Sequence, residues 1–522
     1  MMGILQPKKI TFLFFLLITT ICYGQHERFP DIIKVDGGFI SGVENAGDDD
    51  IHVYKGIPFA APPVGFLRWR EPQPVSPWKK IKKCDVFSAS PMQNKPVPFG
   101  VYTPEFLIPD TPINEDCLYL NVWTGARTAK EKRPVIVWIY GGGFASGGSA
   151  CPIYDGEAMA RKGVVFVSFN YRVGVFGFFS HPELSKEFGR NASGNYGLMD
   201  QIAAIKWVKR NIAAFGGNPD NITIAGQSAG AVSVNCLVAS PLCEGLFQHA
   251  IAESGAMFLN GMIRSNITLS QAEKNGERLM QSFNVSTIND LRRVSADELL
   301  KKAQGFNNVI IDGYVLPDQV ANIFAAGKQN DVDVITGWNA DDGFLFSGPK
   351  TATEFKKQIE EQYGADAPTV LKYYPSSTDD QAYTSQIKMS RDLLFGIQNY
   401  TWAITQSEKG KKKIYVYNFN RKVPALGDFV KYGAFHTGEV VYAYDNLKYE
   451  NRPWDPLDND LSKLMSSYWV NFATRGNPNG SGLPDWQPYN TKDNKVMLFD
   501  EKSKLQSLPT KQQLDFLIGK MK

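Results

Sequence analysis

Asn221-Ile-Thr-Ile-Ala-Gly-Gln-Ser-Ala-Gly-Ala231 is the stretch on which the reading of this chain turns. Ile222 to Ala225 is short and apolar, the pattern of a buried strand. Ala231 to Ala239 is an apolar run of helical length. Between them Gly226-Gln-Ser-Ala-Gly230 follows the G-x-S-x-G pattern of a nucleophile elbow. A strand that becomes a helix within a few residues strains the serine backbone and lifts its hydroxyl above the sheet edge. The two glycines leave room for a crossing that a side chain would block. The helix that follows directs its first free N–H groups at whatever the serine meets. Ordinary strand-to-helix turns share this small-residue pattern, so the rest of the chain has to supply partners for Ser228.

Outward from the elbow, strands and helices alternate. Cys117 to Trp123, Pro134 to Tyr140, Val164 to Asn170, Val332 to Gly337, Lys413 to Asn420 and Val496 to Asp500 read as strands. Gln201 to Phe215, Phe355 to Tyr363, Asp392 to Ser407 and Leu461 to Thr474 read as helices, and Glu253 to Lys302 is helical and polar. Asp31 to Val43 and Ile51 to Tyr54 form an N-terminal antiparallel hairpin region. Pro91 to Pro112 is a long loop punctuated by Phe99, Tyr102 and Phe106. This alternation predicts an α/β fold with a large, mostly parallel sheet flanked by helices and interrupted by long insertions. No linker or repeat divides it, so residues 25–522 read as one domain.

Residues 1–24 read as an export signal, with Lys8 and Lys9, an apolar run from Ile10 to Ile21, and cleavage near Gly24. The expectation is a periplasmic or secreted protein, with lipid anchoring at Cys22 the weaker alternative. No later segment is apolar for long enough to span a bilayer. Of 522 residues, 56 are Lys or Arg and 53 Asp or Glu, a net charge of +3. Such a balance offers no basic surplus for a nucleic acid partner.

An elbow serine needs a base, an acid and oxyanion donors. The order along the chain runs serine, acid, histidine. Of His26, His52, His181, His249 and His436, only His436 lies far enough past Ser228 to leave an acid-bearing strand between. The acid should follow such a strand, and Asp341 and Asp342 both do. Tyr140-Gly-Gly-Gly-Phe144 follows the apolar strand Pro134–Ile139, and its consecutive glycines let backbone N–H groups approach an oxyanion.

These residues together resemble the type B carboxylesterases, the family that includes cholinesterases and bile-salt-type lipases. Glu115-Asp-Cys-Leu-Tyr-Leu-Asn-Val-Trp123, Asn170-Tyr-Arg-Val-Gly-Val-Phe-Gly177, Gly194-Asn-Tyr-Gly-Leu-Met-Asp-Gln201 and the elbow itself carry the resemblance. It implies an α/β-hydrolase fold over nearly all of the mature chain. It also implies a triad of Ser228, Asp342 and His436, and an oxyanion hole from the N–H groups of Gly142, Gly143 and Ala229. A Cys84–Cys117 disulfide and buried ion pairs Arg68–Glu115 and Arg172–Asp200 are implied as scaffold. The family usually carries Glu where this chain has Gln227 and where it has Asp342. Cholinesterases place a tryptophan near the position of Leu107 and aromatic rings near Ala303 and Gly305. Phe144, Leu107, Ala303, Gly305, Leu345 and Phe346 are therefore the residues expected at the substrate pocket.

The expected activity is hydrolysis of small neutral alkyl or aryl esters without metal or cofactor. Two alternatives stand beside it: a non-catalytic, cholinesterase-like adhesion module, and a lipase acting on long-chain esters.

Overall fold

Strands that are apolar on both faces need cover on both, and the computed structural model shows how the chain supplies it. It describes residue 3 and residues 29–44, 51–110, 112–260 and 266–521. The expected export signal and Cys22 lie outside these, apart from Gly3. Among the described residues no helix is long and apolar enough to cross a membrane.

An 11-stranded sheet runs through the molecule. Its strands in chain order are β1 (Val43–Glu44), β2 (His52–Pro58), β3 (Tyr119–Thr124), β4 (Arg133–Ile139), β5 (Val165–Phe169) and β6 (Gly217–Gln227). There follow β7 (His249–Glu253), β8 (Asp333–Asn339), β9 (Ile414–Phe419), β10 (Lys495–Phe499) and β11 (Lys504–Ser507). In space the order is β11-β10-β9-β8-β7-β6-β4-β5-β3-β2-β1. All neighbours from β5 to β10 pair in parallel, whereas the strands at both edges are antiparallel. The expected N-terminal hairpin is present as Ile32–Val35 against Gly38–Ser41.

Three helices bear on the site. α1 (Tyr196–Asn211) packs against β6. α2 (Ala229–Ala239), fully buried, packs against β6 and β7. α3 (Pro456–Arg475) is delimited by its own sequence. Asp455 and Asp458 form a reciprocal cap, Pro456 opens the helix, and Gly476 ends it at φ +69°. Both implied ion pairs are formed. Arg172 is bidentate on Asp200, at 2.8 Å from Nε and 2.7 Å from Nη2, and Arg68 is likewise bidentate on Glu115.

Two expectations give way. β7 falls partly inside a stretch read as helical from Glu253 onward. A strand of five residues that is buried between two parallel neighbours shows no alternation by which sequence could identify it. The Cys84–Cys117 disulfide is not formed, and both residues are free, buried thiols, as are Cys151 and Cys243. Burial pushes the Cys84 thiol up to about 12 and the Cys117 thiol well above its ordinary value, which disfavours the thiolate that exchange requires. Backbone bonds hold these segments instead: Cys84 N–H to Ser41 O and Lys55 N–H to Cys84 O, each 2.8 Å.

Candidate active site

The C-terminal ends of β6, β7 and β8 lie side by side, in register Gln227↔Glu253↔Gly337. Ser228 follows β6 at φ +57° and ψ −121°, the strained geometry of an elbow. Its glycines are required by space. A Cβ on Gly230 would sit 2.0 Å from the Ile139 carbonyl oxygen, and one on Gly226 2.7 Å from the Gly230 backbone. The Ser228 N–H donates to the Glu253 carbonyl at 2.9 Å, tying the elbow to the next strand.

Asp342 and His436 come from loops after β8 and β9. His436 Nδ1 stands 2.8 Å from Asp342 Oδ1. The other carboxylate oxygen accepts from Ser254 Oγ at 2.8 Å and from the Asn339 N–H at 2.7 Å. Asp342 is thus fully buried and saturated with donors, which fixes the imidazole with its proton on Nδ1 and its lone pair on Nε2. Asp341 faces away: its carboxylate accepts the Ala434 N–H at 2.9 Å and its own N–H donates to the Ala434 carbonyl. That aspartate zips the two loops together, while its neighbour meets the histidine. Among the described residues no hydrogen bond joins Ser228 Oγ to His436, although both line the same cavity.

The His436 ring is enclosed. Phe395 stacks on it at 4.5 Å between centroids and 15° between planes, and Phe344 meets it edge-on at 5.1 Å. Gln227 Nε2 lies 3.2 Å from Nε2 and 3.4 Å from Nδ1 of the ring.

Gly142 and Gly143 form a tight turn beyond β4 at φ +98° and +65°. A Cβ on Gly142 would strike the Ser146 carbonyl at 2.2 Å, whereas Gly143 faces open space. Their N–H groups find no acceptor among the described residues, and Asn307 Nδ2 braces the turn by donating to the Gly143 carbonyl at 3.0 Å. Ala229 supplies the first N–H of α2.

Beneath the triad lie two further buried carboxyls. Burial raises Glu253 to about 7 against the bonds it accepts from Trp469 (2.8 Å) and Tyr444 (3.0 Å). Burial, then the charges of Asp342 and Glu253, pushes the Glu439 carboxyl well above its ordinary value. Asn339 bonds its side chain to Glu439 and its backbone to Asp342, linking the two.

The cavity over Ser228 has a volume of about 370 Å³. Its walls include Tyr102, Phe106, Met257, Leu259, Leu394 and Phe395, and none of its described lining residues is Asp, Glu, Lys or Arg. Two amide side chains in the wall are engaged elsewhere: Gln398 binds the backbone of Phe258 and Leu259, and Gln93 that of Pro91 and Gly147.

Of the residues expected at the pocket, Leu107 and Phe346 line it. The other four do not. Phe144 is buried behind the oxyanion turn against Phe178, at 5.0 Å. Ala303 and Gly305 follow the helix Ala296–Lys302, where Phe306 packs on Phe179 and holds the segment behind the wall. Leu345 is adjacent to lining residues but is not one of them. One wall comes from a place the sequence did not mark. Asp392–Gly396 is a single π-helical turn, and it delivers Leu393, Leu394 and Phe395 to the cavity. Tyr374 and Arg391 bind the Asp392 carboxylate at 2.8 Å each and fix this turn.

Comparison with known proteins bears on the family and the fold. The family model described as "Carboxylesterase family" matches residues 30–517. Fumonisin B1 esterase of Sphingopyxis macrogoltabida is 35% identical over 94% of this chain and 90% of its own. Para-nitrobenzyl esterase of Bacillus subtilis is 32% identical over 92% and 96%. A solved structure of a PNB esterase superposes with a TM-score of 0.78 at 30% identity, covering 93% of this chain and 99% of that one.

Proposed function

Because the chain belongs to the carboxylesterase family and is a carboxylic-ester hydrolase, we propose that it works through an acyl-enzyme on Ser228, with His436 as base and Asp342 as its orienting acid. The Ser228 hydroxyl gives its proton to His436 Nε2 as Oγ adds to the ester carbonyl. The developing oxyanion lies against the N–H groups of Gly142, Gly143 and Ala229. Collapse expels the alcohol, which takes the proton from His436. A water, deprotonated by the same imidazole, then adds to the acyl carbonyl, and collapse returns Ser228 and releases the acid.

The observation that carries this reading is the 2.8 Å bond between Asp342 and His436 in the same cavity as the elbow serine. Labelling with a radioactive organophosphate tests it. Stoichiometric label on the peptide containing Ser228, with loss of p-nitrophenyl butyrate hydrolysis, is expected. Label elsewhere, or turnover that survives labelling, overturns it.

The substrate side of the proposal is a neutral ester with apolar acyl and alcohol groups. A wall without charged side chains, whose amides are already engaged, offers a charged substituent no partner for its lost hydration. A para-nitrobenzyl ester, of the kind that gives the Bacillus subtilis para-nitrobenzyl esterase its name, has the right character.

A second reading has its own support. Phe99 and Phe346 line the cavity yet are 63% and 68% exposed, which makes the mouth apolar. Such a rim suits longer esters presented at an interface. A jump in rate when a long-chain ester passes its solubility limit is the sign of it, and a smooth saturation curve through that limit would reject it.

A further inference from the structure

The oxyanion turn runs through the left-handed region at three consecutive residues. Gly142, Gly143 and Phe144 have φ of +98°, +65° and +60°. Glycine adopts this region freely, but Phe144 carries a side chain and is strained there. Its ring is buried against Phe178, so the strain cannot be relieved by swinging the residue out without losing that packing. Hydrogen bonds have to hold a turn of this shape.

Each carbonyl of the turn has a donor. The Gly142 carbonyl accepts the N–H groups of Ala145 and Ser146, each at 3.1 Å. The Phe144 carbonyl accepts the Gly174 N–H at 2.7 Å. Between them the Gly143 carbonyl accepts from Asn307 Nδ2 at 3.0 Å, across 164 residues of chain. A trans peptide carries its N–H and its carbonyl on opposite sides. The bonds from Ala145 and Ser146 therefore turn the Gly143 N–H away from the body of the turn. Those two donors lie beyond the Gly143–Phe144 peptide. Rotation of that peptide would displace both and release the Gly142 carbonyl. Asn307 grips the one peptide on which the aim of the Gly143 N–H depends.

On the acyl-enzyme reading above, we propose that Asn307 is a positioning residue for the oxyanion hole, keeping the Gly143 N–H aimed at the oxygen that gains charge on the substrate. Asn307 is not among the described residues that line the cavity, so it acts through the turn and not on the ester. It is anchored on both sides. Phe306 packs on Phe179 at 5.7 Å. The buried side chain of Asn195, just before α1, pairs with the Ile310 backbone, donating to its carbonyl at 2.7 Å and accepting its N–H at 3.0 Å. Ala303 and Gly305 thus add nothing to the wall, while the residues after them carry a donor to the reacting end of the cavity.

The experiment compares Asn307→Leu, Asn307→Asp and Ser228→Ala with the wild type in the full chain. Hydrolysis of p-nitrophenyl butyrate gives kcat and KM. An aliphatic trifluoromethyl ketone, which adds to a serine as a tetrahedral oxyanion, gives Ki. Melting temperature and organophosphate titration taken to completion show that each Asn307 variant is folded and count its sites. Leucine removes the donor, and kcat per site is expected to fall about tenfold, the factor that one such hydrogen bond contributes to a conformational equilibrium. KM should stay within about twofold, and Ki should rise by the factor by which kcat/KM falls. Aspartate sets an acceptor against the Gly143 carbonyl and should lose more. A residue that only steadies the fold would lower the melting temperature or the number of titrated sites, with kcat per site and Ki unchanged. That result in either folded variant overturns the proposal, and so does a fall in kcat without a rise in Ki. Should one variant not fold, the other decides. Ser228→Ala separates the two levels. If it is inactive while the Asn307 variants match the wild type, only the role of Asn307 falls. If it remains active, the catalytic reading itself falls.

Discussion

The backbone carbonyl of Glu253 accepts the N–H of Ser228 at 2.9 Å, while the side chain of the same Glu253 turns into the core toward Trp469 and Tyr444. One residue thus holds the elbow from outside and places an ionisable group beneath it. That group has a consequence for stability.

Glu253 is raised by burial to about 7 from an ordinary 4.5. The folded chain binds the proton more tightly than the unfolded chain does. Its contribution to stability is full below about pH 4.5 and is lost as pH rises through about 7. Glu253→Gln keeps the acceptor for Trp469 and removes the charge. The variant should gain on the order of 2–3 kcal/mol relative to wild type between pH 5 and 8. Denaturant melts at the two pH values check this, and an unchanged difference between wild type and variant would refute it.

Ser228→Ala should cut turnover by a factor on the order of 10⁴ or more with the fold intact. Ser228→Gly should be equally inactive and also more stable, by about 1 kcal/mol, because a backbone at φ +57° and ψ −121° suits glycine. Calorimetry against the alanine variant measures it. A glycine variant that melts lower than alanine would show that the elbow is not strained.

The adjacent aspartates should behave differently. Asp342→Asn removes the acceptor for the Nδ1 proton and should lower kcat by about 10³–10⁴. Asp341→Asn leaves the histidine untouched and should keep activity within a fewfold, losing only about 1 kcal/mol of stability from the Ala434 bond. Paired kinetics and melting curves decide. Equal loss of activity in both would place the acid wrongly.

The uncharged wall predicts indifference to a cationic alcohol. Butyrylcholine and its carbon isostere should have kcat/KM values within about threefold. Rings such as Phe99, Tyr102 and Phe106 stand in the wall, and cation–π attraction is worth ~0.5–2 kcal/mol each when well placed. A tenfold preference for the cation would mean that they form such a site.

Much of the site was legible because its parts obey local rules. Ser228 needed glycines at fixed offsets, Gly142 and Gly143 needed to follow a buried strand, and chain order singled out His436. The aspartate pair could not be separated by residue pattern, because both follow the same strand. Only the loop after β9 decides which one the imidazole meets, and that contact spans 94 residues. The pocket was the least legible part. Leu393, Leu394 and Phe395 reach it through a π-helical turn whose cause is Asp392 bound by Tyr374, 18 residues earlier. Nothing in the apolar pattern of that helix marks an extra residue per turn. Ala303 and Gly305 were placed by a loose alignment across loops, where register is weakest. β7 was obscured by its burial on both sides.

The parallel ladder through Gln227, Glu253 and Gly337 has one more consequence. Strand residues advance by about 3.3 Å, so a slip of one step between β6 and β8 would carry the serine that far from its partners. Backbone spacing therefore sets the reach of the reacting atoms, much as gear teeth set a distance between shafts. The walls of the cavity come from other segments that the ladder does not govern. Substitutions at Leu107, Leu259 or Leu394 can change which ester fits while the nucleophile and its base keep their alignment. A chain built in this way can change substrates without having to invent its chemistry again.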